Sequence, residues 1–139
     1  MTRQHVAIID AIAAGQLLSG RKRIESRLSR SRRLPFGRID VGDAVHFKLS
    51  GGSVIGTAHV KHVRHFDCLT PQRVHALQRQ YNQAICAPPA YWRARRHCRY
   101  AVLIWVDQLA SPPPALHVPR QFGGAWLELP GEPASLLPA

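Results

Sequence analysis

The chain has 139 residues, a formal charge of +11 at pH 7 and 45% apolar residues; its isoelectric point lies near 11.0. That length fits one domain and that apolar share fits a packed core, while no run approaches the roughly 18 apolar residues of a membrane span. The start lacks the long apolar stretch of a secretory signal, so the expectation is a soluble cytoplasmic protein.

In chain order, residues 5–19 carry Val6, Ile9, Ile12, Ala13 and Leu17 at near-helical spacing, which predicts an amphipathic helix. Gly20 suits the left-handed residue that closes one. Residues 23–28 then read as a strand. Its alternation puts Arg23, Glu25 and Arg27 on one face and Ile24, Ser26 and Leu28 on the other. A basic loop follows, with Arg30, Arg32, Arg33 and Arg38, either a solvated charge run or a clamp for phosphates.

Val41-Gly42-Asp43 reads as a tight turn into a strand over 44–49. Gly51-Gly52 marks a hairpin into a long strand over 53–66. Val54, Gly56, Ala58 and Val60 share one parity that Val63 breaks, so a bulge near Lys61 is expected. Thr70-Pro71 supplies an N-cap and first residue for a helix reaching Ile85. A short aromatic and basic turn follows at 91–96. Residues 100–106 form a continuous apolar run, the best candidate for a buried central strand. A proline-rich connector leads to a last strand at 125–129, with Trp126 exposed on one face, and residues 130–139 read as a disordered tail. Strand runs with two helices argue for an α+β domain with a small curled sheet.

The charge is uneven. No acid occurs between Ser26 and Ile39, and from His59 to Tyr100 Asp67 stands alone against eight Lys or Arg. Such an excess is the electrostatic footprint of a nucleic-acid partner, set against the plainer reading of a solvated basic surface. Cys68, Cys86 and Cys98 are odd in number and widely spaced, which fits neither a disulfide framework nor a zinc pattern. His59, His62 and His65 lack a companion carboxylate or thiol, so no metal and no cofactor is expected.

Gly20-Arg21-Lys22-Arg23-Ile24-Glu25-Ser26-Arg27 packs four cations and one carboxylate into eight residues. It resembles the Gly-x-Lys-x-x-Glu-x-Arg motif of the ASCH domain family, within the PUA-like superfamily. Val41-Gly42-Asp43, Leu69-Thr70-Pro71 and the closing Gly123-Gly124-x-Trp126-x-x-Leu129 are similar to the family as well. The resemblance covers residues 5–129. It implies a small PUA-like β-barrel with helices closing its ends, a binding cleft beside the motif strand and a role linked to RNA. Some members hydrolyse acetylated cytidine, but those carry Thr where Glu25 stands and a Glu in the helix where residues 70–85 have no acid.

The candidate interface is therefore Arg21, Lys22, Arg23, Glu25, Arg27, Arg30, Arg32, Arg33, Arg95 and Arg96, with Tyr91, Trp92 and Trp126 as stacking candidates. Lys22 and Arg27 would contact a phosphate or base acceptor, and Glu25 an exocyclic amine. Core packing is the favoured role of the aromatics, Trp126 being the exception. The expected function is nucleic-acid binding, RNA ahead of DNA, with RNA, another single strand or a nucleoside as partner. The alternative is a hydrolase of a modified nucleoside or of RNA, with Lys22 and Glu25 catalytic.

Overall fold

The computed structural model describes residues 2–114, 116–119 and 124–130; the expected tail lies outside them save Pro130. Six strands and three helices follow the order β1 (Gln4–Ile9), α1 (Ala11–Leu18), β2 (Ile24–Ser29), β3 (Ala44–Leu49), β4 (Val54–Phe66), α2 (Pro71–Ile85), α3 (Pro89–Ala94), β5 (Tyr100–Val106) and β6 (Trp126–Glu128). The architecture is mixed α+β. The sheet runs β2-β5-β4-β3-β1-β6, parallel only between β1 and β3. No backbone ladder joins its end strands, β2 and β6, among the described residues, so the expected barrel is not closed by strand pairing.

One prediction fails at the start. The stretch 4–9 is a strand, not the first turns of a helix, and α1 begins only after Asp10, whose carboxylate accepts the Ala13 N–H. Val6, Ile9 and Ile12 mimic helical spacing, but Val6, Ile8 and Ile9 are β-branched and the segment is buried between β3 and β6; tertiary pairing overrides a three-residue periodicity. Gly20 takes φ +80° beyond the helix end, as expected.

β4 holds the sheet together by changing partners. Its first half pairs with β3 and its second with β5, with a register shift between Val60 and His62. The bulge expected at Lys61 is the place of the change. It turns Val63 back toward the core that holds Ala58 and Val60.

Two apolar clusters flank β5. Val102 and Ile104 face the inner core with Phe47, Val45, Ala7 and α1 residues Ala14 and Leu17. Ala101 and Leu103 face outward, under Val74, Leu77 and Ile85 of α2 and Trp92 of α3. A strand covered on both sides must be apolar at both parities, which accounts for the uninterrupted run. Among the described residues no helix is long and apolar enough to cross a membrane.

Candidate functional site

The motif segment completes the end of α2. A helix leaves its last carbonyls without internal partners. Here Arg23 N donates to Ala84 O at 2.8 Å, Lys22 Nζ to Ile85 O at 2.8 Å and Gln16 Nε2 to Cys86 O at 3.2 Å. A buried ammonium at a helix C-terminus also opposes the negative end of the helix dipole. Lys22 donates a second bond to Ile24 O at 3.1 Å and lies 3.9 Å from Glu25 Oε1. It is 7% exposed. Two of the three donors of the Lys22 ammonium, expected to contact a phosphate or a base acceptor, are thus taken by backbone carbonyls.

Arg27 joins the two ends of the sheet. Its Nη2 donates to Ile8 O of β1 at 2.9 Å and its Nη1 to Ala125 O, just before β6, at 3.2 Å. The guanidinium lies 5.1 Å from the centre of the Trp126 ring and 3.7 Å from Glu25 Oε2. A side chain thus spans the gap that no ladder closes.

Trp126 is 6% exposed, contrary to the expected exposed face. A buried polar chain fixes it. Its Nε1–H donates to His5 Nδ1 at 3.1 Å, and His5 Nε2 donates to Asp43 Oδ2 at 2.9 Å. Trp is a donor only, so His5 Nδ1 is the acceptor and the proton sits on Nε2. Asp43, from the Val-Gly-Asp turn, also accepts the N–H groups of Arg3 and Asp40. Burial opposes its ionisation, but the bonds from Arg3, His5 and Asp40 together hold its carboxyl below the ordinary value. Asp43, His5 and Trp126 therefore set the wall against which Arg27 rests; the sequence marked Asp43 only as part of the Val-Gly-Asp turn and did not mark His5 as a site residue.

Between β2 and the β1–α1 and β6 ends opens a cleft of about 890 Å³, within the size range of small-molecule sites. Lys22, Glu25 and Arg27 line it together, beside Ile8, Asp10, Ala125 and Trp126. Cys86, Pro88, Tyr91 and Arg95 form the side toward α3; Arg33, Pro35 and Phe36 form the side toward the basic loop, near Tyr100. Its charged lining is Lys22, Arg27, Arg33 and Arg95 against Asp10 and Glu25, a net positive site.

Two polar atoms in this lining stand out. Glu25 Oε1 accepts the Ser26 N–H at 3.1 Å, but Glu25 Oε2 and Arg27 Nε are buried with no hydrogen-bond partner among the described residues. Leaving such groups unmatched costs about 1–3 kcal/mol each.

Tyr91 is pinned by Ser26: its hydroxyl donates to Ser26 O at 3.1 Å and accepts from Ser26 Oγ at 2.8 Å. Burial above all pushes its phenol pKa up, so it stays protonated. Arg95 stacks on the Tyr91 ring, 3.8 Å from its centre, which leaves a flat cation at the cleft side. Arg32 stacks instead on Phe36 and Tyr100, at 5.1 and 5.8 Å.

The remaining candidates lie elsewhere. Arg21, Arg23 and Arg30 are exposed and do not line the cleft, so Arg23 does not share the site of Glu25 and Arg27. The two-fold alternation breaks because Arg23 precedes the strand proper. Trp92 is buried, donating to Asn82 Oδ1 at 3.0 Å, and with Arg96 it faces a different groove. Asp10 is the addition that sequence reading missed; a carboxylate directly after a β-branched run was the available signal of a strand end and helix cap. Among the described residues no group of three or more His, Cys, Asp or Glu could hold a metal ion.

The mixed α+β architecture, a six-stranded sheet with three helices, is a fold that known structures share. The chain is similar to the crystal structure of ASCH from Zymomonas mobilis, with TM-score 0.59 and 20% identity over 76% of this chain and 69% of that one. It is also similar to a mutant ASCH protein from the same organism, with TM-score 0.66 and 19% identity over 92% of this chain and 89% of that one. The chain has the ASCH-domain fold. No family model matches the sequence, and no curated protein does.

Proposed function

We propose that the protein binds single-stranded nucleic acid, RNA ahead of DNA, by taking a base into the cleft beside β2. The observation that carries this reading is Glu25 Oε2 and Arg27 Nε, an acceptor and a donor buried without hydrogen-bond partners among the described residues, on side chains that approach to 3.7 Å at Arg27 Nη2 and Glu25 Oε2. A base edge offers a donor next to an acceptor and would satisfy both, Glu25 taking an exocyclic or ring N–H. Arg33 and Arg95 at the cleft sides suit the flanking phosphates, and the Asp43–His5–Trp126 chain keeps Arg27 in place. The side-chain bridge between β2 and the β1–β6 end supports a PUA-like barrel closed by Arg27 rather than by a ladder. RNA binding also fits a cytoplasmic protein.

Affinity for a short RNA measured against salt concentration tests this. Each phosphate neutralised on a single strand adds about 0.7 to the slope of log K against log salt, so a slope near zero would remove the reading.

The position of Asp10 favours a second reading, hydrolysis of an acylated nucleoside or of RNA. It puts a second carboxylate in the cleft with Glu25, where general acid–base chemistry needs two positioned groups. Turnover of acetylated cytidine or single-stranded RNA that Asp10→Asn and Glu25→Gln each abolish would establish it; no turnover of either substrate from acid to alkaline pH would end it.

A further inference from the structure

We propose that α3 is the partition in a two-part track: the cleft on one side takes a base, and a groove on the other takes the backbone of neighbouring nucleotides of the same strand. This rests on the cleft reading above and extends it to a second surface.

The groove, of about 530 Å³, lies between α2 and α3 and is lined by Val74 and Trp92 with His75, Arg79, Arg93 and Arg96. All four basic side chains are exposed. None takes part in an ion pair among the described residues, where the lysine and arginine pairs involve Lys22, Arg27 and Arg38. Between Cys68 and Val106 the sequence contains no Asp or Glu, so this layer has no internal counter-charge. Exposed cations held apart from acids leave a standing positive potential that a polyanion relieves.

What ties the groove to the cleft is the single helix they share. Tyr91 and Arg95 face the cleft, while Trp92, Arg93 and Arg96 face the groove. A helix with its side chains is roughly 10–12 Å across. At roughly 3.4 Å per phosphate along a stacked strand, about three or four nucleotides cross it. An acidic protein segment would find the same charges in the groove, but nothing would lead it over Arg95 and Tyr91 into a cleft with a vacant donor and acceptor.

The test is a ladder of ribonucleotides, from a mononucleotide to a hexanucleotide, titrated into the full chain and into its Arg79→Ala/Arg93→Ala variant. In the unchanged protein affinity should rise at least tenfold between one and about five nucleotides. The variant should lose that gain, show a hexanucleotide salt slope lower by about 1.4, and keep its mononucleotide affinity and melting temperature. A protein that binds the mononucleotide but gains nothing with length overturns the track and leaves the cleft reading intact. Binding of neither overturns both. A poly-glutamate peptide that displaces the hexanucleotide at equal concentration would assign the groove to an acidic protein instead.

Discussion

Arg27 and Arg93 carry the same guanidinium under opposite conditions. Arg27 is 19% exposed, with both Nη groups on backbone carbonyls of the far sheet edge and a carboxylate 3.7 Å away. Arg93 stands exposed on α3, in a layer without acids. Lys22 belongs with Arg27, and Arg79 and Arg96 belong with Arg93. The difference separates two uses of positive charge in one basic chain. Near β2, cations complete unpaired backbone: the open edge of a sheet and the end of a helix. On α2 and α3, Arg79, Arg93 and, just past α3, Arg96 make no such bonds among the described residues and remain available to an anion. Net charge alone does not distinguish these, because a cation committed to carbonyls contributes to the formal count but offers few donors to a ligand.

The largest effect that could break this contrast comes from removing the two arginines in turn. Arg27→Ala removes the side-chain donor from Ile8 O and Ala125 O, the latter keeping only its bond from Ile8 N, and leaves Glu25 short of a counter-charge. Its expected cost is about 3 kcal/mol in urea unfolding. Arg93→Ala should change stability by no more than about 0.5 kcal/mol. Equal costs would erase the distinction.

A pH titration sharpens it next. His46 is buried, its Nδ1 2.6 Å from Thr57 Oγ1 and its Nε2 2.7 Å from Gln4 Oε1. Burial first, then the nearby His59 and His5, lower its pKa. The unfolded chain therefore takes up the proton before the folded one does. The stability from this group is full above its unfolded value, about 6.5, and is lost as the pH falls toward and through the depressed folded value. Asp43 is also lowered, so its share persists above the ordinary carboxylate value, about 3.9, and is lost only below it. The urea midpoint should hold from pH 8 to 7 and begin to fall between about pH 6.5 and 5. A midpoint that stays level there contradicts a neutral buried His46.

The smallest expected effect is that of Trp126→Phe. It keeps an aromatic ring beside Arg27 but removes the N–H donated to His5, at a cost of about 1 kcal/mol. No loss at all would mean that the Asp43–His5 chain does not hold this wall.

Most of the strand and helix order was legible because it rested on local chemistry. Thr70 caps α2 through a bond to Arg73 N, with Pro71 at the first turn. Gly51 takes φ +70° in the expected hairpin, and the break of parity at Val63 located the change of partner in β4. β1 was hidden because its identity depends on pairing with β3, about 40 residues away in sequence, and the segment's spacing suited either state. Of the candidate site, the grouping of Lys22, Glu25 and Arg27 was legible, since these three line one cleft. Their division of labour was not. Which cations meet backbone carbonyls depends on where α2 ends and which strands stand unpaired, and no spacing along the chain encodes that. Trp126 was misread for the same reason: its covering partner is His5, 121 positions away.

In the proposed complex Glu25 and Arg27 together receive a base. This is tested most directly by comparing the affinity of a short RNA with that of the same strand made abasic at one position, in the wild type and in Glu25→Gln. The wild type should bind the intact strand at least tenfold more tightly, and Glu25→Gln, which puts an amide in place of the carboxylate acceptor, should remove that difference. Equal binding of the two strands by the wild type would contradict it. So would an affinity that simply rises when the carboxylate is neutralised, because Glu25 would then act on RNA only as a repelling charge.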